Sequence, residues 1–179
     1  MNKTTAIIFM STALIFAYTN STANYTLFHQ APVLKIPPHS YLTKIIQRKQ
    51  PRLTKAKANQ IARAIYKHSK YYKLPPILII ALSERESSLL PKSTSKKSCI
   101  GLMQINPRAH PNKVKNFSRD RLYDIDTNIK IGCSILKEYL TKTGTISGAL
   151  QRYIGAKNKS YVNDILSSFT DEIILQQSK

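Results

Sequence analysis

The chain has 179 residues, 28 Lys and Arg against 9 Asp and Glu, and a formal charge of +19. That length suits one domain with a real core and is short for two. An excess of positive charge implies a negative partner or surface, such as nucleic acid, anionic lipid or an acidic wall polymer, and charge alone does not choose among them.

The first segment carries Lys3, then an apolar run from Ala6 to Tyr18, then Ser21-Thr22-Ala23. This is the pattern of a secretory signal with cleavage after Ala23. The rival is an uncleaved anchor, against which the run is shorter than the ~20 residues that a span needs. Export makes nucleic acid a poor partner. It also leaves a mature chain with no stable membrane span, in the periplasm or outside the cell. Asn24 to about Arg52 reads as an extension broken by Pro32, Pro37, Pro38 and Pro51, so the domain is expected over 53–179.

From Thr54, a plausible N-cap, the pattern turns helical, with Ala58, Ile61, Ala62, Ile65, Ser69 and Tyr72 on one face. Leu74-Pro75-Pro76 ends this helix and opens the next. Ile77 to Glu86 is apolar nearly all round as far as Ser83, which places it in a core. Ser87 to Ile100 is a loop. A short helix is expected to open at Gly101 and stop at Asn106-Pro107. Arg108 to Tyr123 reads as a surface connection. A helix capped by Asp126 or Thr127 runs to Gly144, a shorter one spans Thr145 to Tyr153, and Ser160 can cap a last amphipathic helix. Few runs suggest strands, so the class is mainly α.

From Met1 to Arg119 the only carboxylate side chains are Glu84 and Glu86, both at the end of the apolar run. A carboxyl held against apolar residues keeps its proton to higher pH and can act as a general acid. The two are about 200° apart round a helix axis, so only one faces a given cleft, and periodicity does not say which. Asp120, Asp124 and Asp126 read as caps and turn formers. They are also the candidates for a second carboxylate, which direct inverting hydrolysis wants ~6.5–9.5 Å from the first.

Cys99 and Cys133 can pair in an oxidising compartment, where the bridge would contribute roughly 3–5 kcal/mol. Two buried free thiols are the alternative. His29, His39, His68 and His110 are scattered and there is no Cys-x-x-Cys, so no metal site is expected.

Glu86-Ser87, Pro91, Ser95 and Gly101-Leu102-Met103-Gln104-Ile105-Asn106-Pro107 together resemble the signature of soluble lytic transglycosylases, the goose-type-lysozyme-like members of glycoside hydrolase family 23. Asn128-Ile129 through Gly132 and Leu136, then Ala149-Leu150 and Tyr153-Ile154-Gly155, resemble the later motifs of that family. The resemblance covers about 61–166. It implies a single lysozyme-like α domain that cleaves the β-1,4 bond of peptidoglycan without cofactor or metal, leaving 1,6-anhydro ends. It implies Glu86 as catalytic acid, with Ser95 and Tyr153 supporting it and Ser87, Met103 and Gln104 contacting glycan. The departures are Ile154, where the family usually has Asn, and Ser98 and Cys99, where it often has Gly-Ala. A hydrolytic lysozyme, a non-catalytic cationic wall binder, and a wall-opening subunit of a secretion or conjugation apparatus stay open as alternatives.

Overall fold

The computed structural model describes residues 37–155 and 158–177, so the expected signal peptide lies outside the described residues. Helices dominate: α1 His39–Lys49, α2 Lys55–Tyr72, α3 Pro76–Ser87, a single turn α4 Pro111–Val114, a 3-10 turn Asp120–Tyr123, α5 Ile125–Thr143, α6 Ile146–Ile154 and α7 Lys159–Gln177. Pairing among the described residues is limited to isolated bridges, Thr94 with Ile100 and Ile100 with Ile105. The fold is mainly α, as expected. No described helix is long and apolar enough to cross a membrane. The described residues form two compact units, one of residues 36–135 and one that includes residues 136–177.

In the first unit α3 is the central element. Every residue from Pro76 to Ser83 is buried, and α1 and α2 pack against it. Pro76 opens the helix where its missing N–H costs nothing. The Thr54 hydroxyl caps α2 by accepting from the Lys57 N–H (3.2 Å), and Lys73 ends that helix in the left-handed region (φ 53°).

Two expectations need correction here. The stretch read as an extension contains α1, whose Leu42, Ile45 and Ile46 are wholly buried against α2 and α3. Pro38 and Pro51 bound this helix rather than break it. The stretch opening at Gly101 is a set of turns, not a helix. Asn128 competes for its backbone groups: its side chain takes the Met103 N–H and the Ile100 carbonyl that a helix would use.

Helix α5 starts two or three residues earlier than expected. Asp124 caps it, accepting from the Thr127 N–H (2.9 Å) and hydroxyl (2.7 Å). In the second unit, Thr145 caps α6 through the Gly148 N–H (3.1 Å). The Asn158 side chain, rather than Ser160, caps α7 through the Tyr161 N–H (3.1 Å). Helices α6 and α7 pack together over Ile146, Ala149, Leu150, Val162, Ile165 and Phe169.

Candidate active site

Glu86 stands in the last turn of α3 and is half-buried. The helix stops at Ser88 in the left-handed region (φ 52°). The Ser88 N–H bonds the Glu84 carbonyl (2.8 Å), and the Leu89 N–H bonds that of Ser83 (3.3 Å). That closing motif satisfies two of the last helical carbonyls, and the wholly buried Leu89 anchors it. The end of α3 is therefore fixed by its own cap as well as by packing.

Glu84 and Glu86 have different surroundings. The Lys49 ammonium of α1 lies 2.8 Å from the Glu84 carboxylate, with the Lys49 side chain largely buried. This partner makes Glu84 a link between α1 and α3.

Ser87 is buried, at 7% exposure. Its hydroxyl lies 2.8 Å from the Leu102 carbonyl and 3.0 Å from that of Ser83, both acceptors for its one proton. The residue after Glu86 is thus tied to the centre of the Gly101–Gln104 run. Met103 is wholly buried, and its side chain fills the space over Gly132, where a Cβ would collide with it. Both side chains lie inside, Met103 wholly and Ser87 almost so. Gln104 is half-exposed at φ 47°. Its amide nitrogen donates to the Gly101 carbonyl (3.0 Å) and, more weakly, to that of Ser93 (3.4 Å).

The loop around these residues is tightly bonded. Ile100 and Ile105 exchange two backbone hydrogen bonds at 2.9 Å, and the Gly101 N–H reaches the Ser93 carbonyl at 2.9 Å. Exposed Ser95 accepts the Cys99 N–H through its hydroxyl (3.1 Å), so it fastens the tip of the loop. The residue that sequence reasoning left out of the site is Asn128. Buried at 1% exposure on α5, it accepts the Met103 N–H (2.8 Å) and donates to the carbonyls of Leu122 (2.7 Å) and Ile100 (2.9 Å). It also explains Gly101: with φ +75°, a Cβ there would collide with the Asn128 amide. The available signal was an Asn in the first turn of an apolar helix.

Cys99 and Cys133 are free thiols, so the disulfide open to them in the sequence is not formed. Cys133 is wholly buried in α5, and burial pushes its thiol up. Cys99 is held by the turn with Ser95. Asp124 and Asp126 both have partners. Burial raises the Asp124 pKa, but the Thr127 N–H and hydroxyl and the Arg121 charge outweigh it and hold the carboxyl below its ordinary value. Burial likewise acts on Asp126, where Lys67 (3.0 Å) and buried His68 (2.9 Å) prevail in the lowering direction. No cluster of His, Cys, Asp or Glu able to hold a metal occurs among the described residues. Tyr153 is half-buried near the end of α6 in the second unit, followed by Ile154 and by Gly155 in the left-handed region.

These motifs sit inside a stretch, residues 63–163, that matches the family model described as the Transglycosylase SLT domain. The chain belongs to that family. It is also similar to a protein named "Transglycosylase" from Enterobacteria phage PRD1, with 32% identity over 108 residues. That match covers 56% of this chain and 39% of the phage protein, so the chain spans well under two thirds of this relative. No solved structure matches the chain.

Proposed function

We propose that this protein is a peptidoglycan lytic transglycosylase acting outside the cytoplasm, with Glu86 as both acid and base. The observation that carries the reading is the join between Glu86 and the family motif. A half-buried carboxylate ends a buried helix, and its neighbour Ser87 bonds into the Gly101–Gln104 turn. Glu86 would protonate the glycosidic oxygen between N-acetylmuramic acid and N-acetylglucosamine, with the N-acetyl group helping to stabilise the positive sugar. The resulting carboxylate would take the proton of the C6 hydroxyl of the same muramyl unit, whose oxygen closes on C1 as a 1,6-anhydro end. On the resemblance, Tyr153 is a supporting residue.

One carboxylate serves twice in this scheme, and three of the four other acids of the first unit, all but exposed Asp120, are engaged with neighbours. Glu84 is engaged with Lys49, Asp124 with Thr127, and Asp126 with Lys67 and His68. A basic surface would concentrate the anionic wall polymer near the site. Within a secretion or conjugation apparatus the same chemistry would open the wall locally.

Mass analysis of digested, purified peptidoglycan tests the reading. Wild-type protein should release anhydro-ended muropeptides, one water lighter than the reducing ends a lysozyme makes. Glu86→Gln should lose activity by at least the ~10²–10⁴-fold typical of a general acid. Glu84→Gln should retain most of it. Equal digestion by wild type and Glu86→Gln sinks the assignment.

A further inference from the structure

Beside the loop that follows α3 lies an open pocket of about 940 Å³, wholly within the first unit. Its walls come from the start of α2, from residues 90–93 and from residues 118–125, and Glu86 is not among the lining residues. The side on which it opens follows from three contacts. Lys49 holds Glu84, Gln50 donates to the Ser88 carbonyl (2.9 Å), and Leu53, just beyond them, lines the pocket. The junction of α1 and α2 therefore covers the Glu84 side of the helix end. Glu86 projects about 200° away round the axis.

Its chemistry is mixed in a specific way. Leu53, Pro91 and buried Ile125 give it an aliphatic surface. The Tyr123 ring forms a wall, with its hydroxyl 2.6 Å from the Thr94 hydroxyl and the Lys92 ammonium 5.8 Å from the ring centre. Lys57, Lys92 and Arg121 set exposed cations around the rim. Two carboxylates also line it: Asp124, which accepts from Thr127, and exposed Asp120. A complementary ligand is short, carries methyl-sized apolar groups, and presents several carboxylates. A bare glycan uses neither the aliphatic floor nor three cations. The peptide attached to each muramyl unit has both features, with alanyl methyls and free carboxylates.

We infer that this pocket binds the acidic stem peptide of peptidoglycan. The inference rests on the wall being the substrate, as proposed above. Binding there would favour peptide-bearing strands over stripped glycan without touching the bond that breaks.

Titration of the ¹⁵N-labelled full chain with free stem peptide tests it directly. Saturable shifts are expected at Lys57, Gln60, Arg121 and Tyr123. The same peptide with amidated carboxylates should bind about tenfold more weakly, as should the wild-type peptide to a Lys57→Glu, Arg121→Glu chain. Both altered side chains are exposed, and the amidated peptide gives the same answer on unaltered protein if the double variant does not fold. Absence of shifts at these residues, or equal binding of acidic and amidated peptide, overturns the inference. The titration needs no turnover, so failure of the Glu86 assignment is read separately, from the digest.

Discussion

Asn128 shows how one buried amide organises a site that it does not enter. Its three bonds satisfy the Met103 N–H and the Ile100 and Leu122 carbonyls, groups that have no water to turn to. Truncation takes this partner from the Met103 N–H and the Leu122 carbonyl, while the Ile100 carbonyl keeps the Ile105 N–H, at about 1–3 kcal/mol for each buried group left unmade. Asn128→Ala should therefore lower unfolding stability by about 3 kcal/mol or more in urea titration. At temperatures where it remains folded, it should also lower digestion of walls, because the turn beside Ser87 loses its tether. Asn128→Asp sets a carboxylate against two carbonyl oxygens and should not rescue it. Gly101→Ala should behave similarly for a different reason: the left-handed backbone and the Asn128 amide both oppose a Cβ. A Gly101→Ala chain with wild-type stability would contradict this account of the turn.

At the level of elements, local signals were legible where one residue dominated and obscure where several competed. Thr54 was readable as a cap because the residues around it offered no rival; at the start of α5, Asp124, Asp126 and Thr127 all can cap, and only tertiary partners separate them. Lys67 and His68 draw Asp126 away, leaving Asp124 to Thr127. The turn at Gly101 was misread as a short helix because its decisive partner, Asn128, is distant in sequence. The same two aspartates give the element its pH response. Both have folded-state values below the ordinary 3.8, so each contributes stability that is present above that value. That contribution is lost as pH falls through the lowered folded values. Stability should therefore decline below about pH 4, with a shallower acid limb in Asp126→Asn, as followed by circular dichroism. Asp124→Asn keeps a capping oxygen and should lose little at neutral pH.

At the scale of the molecule, the segment that reads as a proline-broken extension supports the candidate site. Its prolines dominate the pattern, although Leu42, Ile45 and Ile46 already have helical spacing, and burial against α2 and α3 is what that spacing serves. Helix α1 also supplies Lys49 to Glu84, and the next residue, Gln50, supplies its amide to the Ser88 carbonyl. Both contacts hold the end of α3, each two residues from Glu86. Each buried Leu or Ile contributes about 1.5–3 kcal/mol through burial, so the three together approach the ~5–15 kcal/mol that keeps a domain folded. A chain beginning at Leu53 should therefore be largely unfolded at 37 °C. A milder variant separates stability from positioning. Ile46→Ala should cost about 2–5 kcal/mol while preserving turnover per folded molecule. Lys49→Met keeps an apolar stem but removes the charge, so it should change stability less than Ile46→Ala and, like Glu84→Gln, retain most of the wall digestion. If folded Lys49→Met loses most of its digestion, the ion pair positions the site and the account of α1 as a packing element is wrong.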